Sequence, residues 1–276
     1  MTAHTVTLGD IELVVDEAGD GPSVVLLHGW PDTSALWRGV VPRLVDAGFR
    51  VVVPDLRGCG RSSKPEGIEA YRVEHLVADV LGVIDQRCDG RASVVGHDWG
   101  ANLAWVTASF APAAVDHLVA VSVGHPTSFR AAGLAQQVRS WYVLLFEHEG
   151  IAETWLSRDD FAVMREWLEH PDADGVVAEI IRDGTLTTHL NWYRATFTAK
   201  SFVAKPPSIP PILAPTMGIW STRDVALCEE QMTGSAAFCQ SGFTYVRMEG
   251  LGHWIPLEDP ARLAEHLVGF LPGSAA

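Results

Sequence analysis

The sequence predicts an α/β fold: a mostly parallel sheet with helices on both faces and an all-helical insertion between two strands. Three observations predict it. Unbroken apolar runs of strand length recur along the chain, and such runs fit strands covered on both faces. Amphipathic stretches of helix length separate most of them, which implies right-handed crossovers. The alternation stops once, from about residue 126 to 211, where no strand pattern is found.

The elements follow in order. TVTL and IELVVDEAG alternate in period two and meet at Gly9-Asp10, the pattern of two antiparallel strands. Ser23–Gly29 (SVVLLHG), Phe49–Leu56 (FRVVVPDL), Ala92–Asp98 (ASVVGHD) and His117–Val123 (HLVAVSV) then read as buried strands. Pro215–Trp220 (PTMGIW) and Phe243–Gly250 (FTYVRMEG) complete the set. Helices are expected at Ala35–Asp46, Val73–Gln86, Ala101–Phe110 and Ala261–Phe270. The segment 126–211 is rich in Trp, Glu, Arg and helix formers, and it ends in the stiff AKPPSIPPILAP. The organisation read from this is a sheet domain of residues 1–125 and 212–276 carrying a helical cap of residues 126–211.

Composition excludes several functions. The 276 residues are 47% hydrophobic and 20% charged, a globular balance. The net charge of −14 repels phosphate backbones, and the basic residues are scattered, so no nucleic-acid partner is expected. No apolar run approaches a membrane span, and the start MTAHTVTLGD lacks the basic-then-apolar pattern of an export signal. Cys59, Cys88, Cys228 and Cys239 are widely spaced, which argues against a zinc site or disulfide framework. A cytoplasmic location, no cofactor and no metal are the expectations.

The chemistry gathers where strands end. Gly96-His97-Asp98-Trp99-Gly100 follows an apolar strand and opens a helix. Small residues two before and two after the apex permit a very tight turn that exposes the apex side chain. Asp98 at that apex is an ionised carboxylate able to attack carbon. Gly and Asp are also ordinary turn residues, so the pattern alone fits a plain turn as well. His28-Gly29-Trp30-Pro31 ends an earlier strand. It can aim the Trp30 N–H at the same space, joining the Trp99 N–H as an oxyanion donor. We read His28 as structural, and the sequence leaves the isomer of the Trp30–Pro31 bond open. Asp224 and His253 follow the last two strands. A carboxylate at Asp224 can hold the His253 imidazole in one tautomer; it also fits a helix cap for the segment after it. The order nucleophile, acid, base is that of α/β-hydrolases.

With these pieces in place, the chain resembles the α/β-hydrolase-fold epoxide hydrolases over almost its full length. The matching segments are HGWP, PDLRGCGRSSKP, GHDWGA, SWYVLLF, LNWYRA, STRD and GHW. The resemblance implies an α/β-hydrolase fold and two cap tyrosines that hydrogen-bond the epoxide oxygen. Tyr142 in SWYVLLF and Tyr193 in LNWYRA stand at the matching positions. Both also suit an amphipathic interface residue. Tyr71 and Tyr245 read as packing residues. Trp30, Trp99, Trp141, Trp192 and Trp254 are expected to line the substrate pocket, which points to a bulky apolar or aromatic epoxide. One departure stands out: Cys59 and Arg61 occupy places where relatives often carry an aromatic and an acid.

The chemistry that the resemblance implies runs in two steps. Asp98 opens the ring while the two phenols hold its oxygen. His253, oriented by Asp224, then activates a water that hydrolyses the Asp98 ester, and activity is expected to fall on acidification. The partners are a small epoxide and water, in a monomer or homodimer. A haloalkane or haloacid dehalogenase shares the Asp, His and acid and is the rival reading, with Trp99 as a halide donor. A non-catalytic small-ligand binder is a second rival. An ester hydrolase fits poorly because the elbow lacks Ser.

Overall fold

The computed structural model describes residues 1–205 and 207–273 (of Phe202, the backbone alone). Eight strands form one sheet: β1 (Thr2–Leu8), β2 (Ile11–Ala18), β3 (Ser23–Leu27), β4 (Arg50–Pro54), β5 (Ala92–His97), β6 (Val115–Val121), β7 (Thr216–Ser221) and β8 (Phe243–Met248). Their spatial order is β1-β2-β4-β3-β5-β6-β7-β8. β2 runs antiparallel to both β1 and β4, and every later pairing is parallel. Every residue of β5 and of β7 is buried, as the unbroken apolar runs required. The inner strands therefore carry no polar alternation because helices cover both of their faces.

Around the sheet lie α1 (Val41–Asp46), α2 (Val73–Arg87) and α3 (Trp99–Phe110). The single helix expected over Ala35–Asp46 is two pieces, a 3₁₀ segment Ser34–Gly39 and then α1. Pro42 lies in the first turn of α1, where its missing N–H costs nothing; inside one continuous helix it would have removed a bond. The strand read to Val123 ends at Val121, because Ser122 takes a φ of 70°.

Between β6 and β7 the described residues hold helices and no strand. They are α4 (Pro126–Ala131), α5 (Leu134–Arg139), α6 (Trp141–Phe146), α7 (Ile151–Trp167), α8 (Ala173–Asp183), α9 (Leu186–Thr196) and α10 (Ala199–Val203). α7 is interrupted at Arg158–Phe161, where three consecutive residues take positive φ. Pro206, within the expected proline-rich return, lies outside the described residues. After β7 come α11 (Glu229–Thr233), α12 (Ile255–Glu258) and α13 (Pro260–Phe270). The C-terminal ends of β3, β5, β6, β7 and β8 thus lead into Trp30, Asp98, Ser122, Asp224 and His253. Among the described residues no helix is long and apolar enough to cross a membrane.

Candidate active site

Asp98 sits between β5 and α3 at φ 53° and ψ −119°, a strained apex for a non-glycine residue. Its neighbours show why the motif needs glycine. A Cβ on Gly96 would stand 2.1 Å from the Gly100 carbonyl oxygen, and one on Gly100 would stand 2.1 Å from the Leu27 oxygen. β5, α3 and β3 therefore approach so closely that only hydrogen fits. The Trp30 N–H donates to Asp98 Oδ1 at 2.9 Å. Trp99 is the first residue of α3, so its N–H has no carbonyl partner within the helix. His28 is structural, as read: its Nε2 accepts from the Leu56 N–H at 3.0 Å, which leaves Nδ1 to donate to the Gly29 oxygen. The Trp30–Pro31 bond is cis.

The three residues read as nucleophile, acid and base meet at this apex. His253 Nδ1 lies 2.8 Å from Asp224 Oδ2, and Nε2 lies 3.6 Å from Asp98 Oδ2. The other Asp224 oxygen accepts from the N–H groups of Ala226 and Leu227, both at 2.9 Å. One Asp224 oxygen thus faces the imidazole while the other closes a turn; the helix cap that the residue also fitted is not formed, because α11 begins only at Glu229. The His253 carbonyl accepts from Ser122 Oγ at 3.0 Å and faces His97 Nε2 at 2.9 Å, which pins the base loop to the sheet edge. Burial acts to lower the His253 pKa, but the two facing carboxylates outweigh it and push the imidazole up to about 10.

Tyr142 on α6 and Tyr193 on α9 both line the cavity spaces that Asp98 lines. Burial, reinforced by nearby charge from Asp98, raises both phenols well above the ordinary range, so they stay protonated donors. Their rings meet edge to face with centroids 6.1 Å apart. Tyr71 and Tyr245 differ, since their hydroxyls donate to the Pro65 oxygen at 2.8 Å and to Glu229 at 2.7 Å. Among the described residues neither Tyr142 nor Tyr193 donates to a carbonyl or carboxylate. Trp30, Trp99, Trp141 and Trp254 line the cavity. Trp192 does not, contrary to expectation. It is fully buried, donates Nε1 to the Arg57 oxygen at 3.0 Å, and stands behind Trp99 with ring centroids 5.8 Å apart. Arg61, at the departure noted above, pairs with Asp55 and Asp16, and burial raises the Cys59 thiol well above its usual range.

Residues 22–260 match the protein-family model described as the alpha/beta hydrolase fold. The chain belongs to the α/β-hydrolase fold family. Among its relatives, the AB hydrolase superfamily protein YfhM of Bacillus subtilis is 34% identical over 96% of this chain and 96% of its own. Epoxide hydrolase A of Mycobacterium tuberculosis is 31% identical over 99% and 98% of the two chains. Among solved structures, an epoxide hydrolase of Bacillus megaterium in complex with an inhibitor superposes with a TM-score of 0.88 at 25% identity, over 97% of this chain and 99% of that one. Epoxide Hydrolase A of Mycobacterium thermoresistibile gives 0.79 at 29% identity over 98% of each.

This α/β-hydrolase site also leans on residues that the motifs did not reveal. Asp32, buried, accepts from Trp254 Nε1 at 3.0 Å and from His170 Nε2 at 3.2 Å; His170 Nδ1 is already an acceptor for the Asp172 N–H. One carboxylate thus joins the loop after β3, the loop carrying His253, and the segment after α7. On α5, buried Gln136 donates to the Ala226 oxygen at 2.9 Å and accepts from the Cys228 N–H at 3.0 Å. Arg139 donates to the main-chain carbonyl oxygen of Asp224 at 2.9 Å. These two side chains hold the turn that carries Asp224. Arg194 donates to the Phe146 oxygen at 3.0 Å and to both oxygens of Glu153 at 2.8 Å, tying the Tyr193 helix to the Tyr142 helix. An Asp directly after HGWP and an Arg directly after WY were the only local signals, and neither names its partner.

Proposed function

We propose that the protein is an epoxide hydrolase that opens an epoxide to a vicinal diol through an ester on Asp98. We also propose that helices of residues 126–211 act as a cap over a core of residues 1–125 and 212–276. The observation that carries the reading is the pair of protonated phenols in the cavity whose floor is Asp98. A strained ring needs a nucleophile at carbon and a proton at oxygen, and the cavity supplies both.

Oδ1 of Asp98 is held by the Trp30 N–H, so Oδ2, on the His253 side, attacks the ring carbon. The C–O bond breaks and a phenol proton goes to the departing oxygen. Oδ1 is then the ester carbonyl, already placed against the Trp30 N–H, with the Trp99 N–H as second donor. His253 takes a proton from water, whose oxygen adds to the Asp98 carbonyl carbon. Collapse expels the diol and restores the carboxylate. A hydroxyl nucleophile at the apex would instead form an ether that water cannot hydrolyse in this way.

The test is to trap the ester. His253→Gln, treated with styrene oxide and weighed intact and as peptides, is expected to hold a stable adduct on the peptide that contains Asp98. No adduct, together with chloride release from a chloroalkane by the unaltered enzyme, would overturn the reading in favour of a dehalogenase.

A further inference from the structure

We propose that the epoxide carries a carboxylate at the end remote from the ring, joined to it by an apolar spacer, and that Arg130 recognises that carboxylate. The proposal rests on the epoxide-opening reading and specifies the rest of the substrate.

Two cavities meet at Asp98, Tyr142 and Tyr193. One, of about 400 Å³, contains His253 and Trp254 and is the side from which the base acts. The other, of about 450 Å³, has a wall that includes Val106, Phe129, Val143, Phe197 and Leu227. That volume suits a small-molecule site, and its apolar wall suits hydrocarbon. Its inner end is set by buried Asp98 and Tyr193, and its outer end by exposed Ala204, Lys205 and Pro207. A substrate with its ring at Asp98 therefore extends along the apolar wall toward that opening.

Arg130 lines the outer end, where its Nη2 reaches the Ala204 oxygen at a long 3.4 Å. Among the described residues it forms no ion pair, and neither does Lys205. Glu74 lines the same cavity and pairs with neither cation. Of the arginines that line the other cavities, Arg38, Arg61 and Arg182 pair with carboxylates, and Arg139 is held by the carbonyl oxygens of Asp224 and Val225. Arg130 is partly buried, and loss of water alone pulls its pKa down. A guanidinium drawn out of water with no anion beside it is incomplete. Its planar fork matches a carboxylate, with Lys205 as a second, mobile charge at the rim. In a chain of net charge −14, that local cation pair is the exception and favours an anionic tail over a neutral one.

The experiment compares a long-chain epoxy carboxylic acid with its methyl ester, both kept below micelle formation, on the wild type, Arg130→Gln and Lys205→Gln. The wild type is expected to favour the acid in kcat/KM by about ten- to hundredfold, the range that a hydrogen bond to a charged group commands. The difference is expected in KM, because the contact is remote from the reacting carbon. Arg130→Gln is expected to erase the preference while leaving the methyl ester within about twofold of wild type; Lys205→Gln is expected to weaken it less. Equal use of acid and ester by the wild type, or an equal loss on both in Arg130→Gln, would overturn the proposal while leaving the epoxide reading intact. Failure to hydrolyse either substrate, with no Asp98 adduct in His253→Gln, would sink the epoxide reading itself.

Discussion

Gly29→Ala is expected to leave the fold standing and disable the nucleophile. A Cβ at Gly29 would lie 2.4 Å from both Cβ and Oδ1 of Asp98 and 2.8 Å from its Cγ. Non-bonded carbons rest at about 3.5–4.0 Å, so the carboxylate must move by about 1 Å. That movement takes Oδ1 out of its 2.9 Å bond with the Trp30 N–H. A misplacement of about 1 Å costs on the order of a hundredfold, and a lost oxyanion donor costs about 10²–10³. We therefore expect kcat for ester formation to fall at least about a hundredfold. One of the three nearest atoms is the Asp98 Cβ, which the backbone fixes, so the elbow must shift with the carboxylate, at a stability cost of ~1–3 kcal/mol, the range of overpacking. Gly96→Ala and Gly100→Ala give the contrast: each Cβ meets a backbone oxygen at 2.1 Å and two further backbone atoms within 2.6 Å, so two chain segments would have to part, and both are expected to misfold. Single-turnover mass measurement of the Asp98 ester, with circular dichroism melting of all three variants, separates the outcomes. Gly29→Ala retaining activity within about threefold would refute the account of how the oxyanion loop positions Asp98.

Four further outcomes are expected. Tyr142→Phe and Tyr193→Phe should each slow ester formation by about 10²–10³ yet spare ester hydrolysis; rapid-quench measurement showing equal loss in both steps would contradict this. Asp224→Asn keeps an oxygen for the Ala226 and Leu227 N–H groups but faces His253 with an amide. The fold should hold while ester hydrolysis slows by about 10³–10⁴, read as accumulated adduct. Gln136→Leu leaves the Cys228 N–H and the Ala226 oxygen unpaired, so it should cost about 1–3 kcal/mol in urea titration and slow hydrolysis more than ester formation. The raised His253 pKa stabilises the folded state fully below the unfolded value of ~6.5, and that contribution is lost as pH rises through about 10. The Tm gap between wild type and His253→Gln should therefore be widest at or just below about pH 6.5 and narrow steadily toward alkaline pH; a gap constant with pH would contradict the ion pairing.

The parallel strands were legible because burial on both faces removes the period-two alternation of apolar and polar residues, as β5 and β7 show. The elbow was legible because its close approaches demand glycine at fixed spacing. Trp192 was misread because adjacency to Tyr193 in sequence says little about direction: on a helix, neighbours point about 100° apart. Tyr193 faces Asp98 while Trp192 turns back onto Arg57. Asp32, Gln136 and Arg139 were not legible for another reason. Each bonds a partner distant in sequence, so their types suggest only polar surface until the fold brings α5 and the segment after α7 against the loops.

On the proposed mechanism, the charges of the site let one imidazole serve a reaction that first needs an acid and then a base. In the resting enzyme two carboxylates face His253 and keep it cationic at neutral pH. In the mechanism proposed above, attack on the epoxide turns Asp98 into a neutral ester, so one of the two anions would disappear and the His253 pKa would fall. Its proton is released as the phenol that protonated the alkoxide needs one back. The neutral imidazole can then take a proton from water, and hydrolysis restores both the Asp98 carboxylate and the cationic His253. The chemical step thus sets the protonation state that the next step requires. The pH that limits hydrolysis is accordingly the pKa of His253 in the ester and lies below that of the free enzyme, so acid inactivation should set in below the free-enzyme value rather than at it.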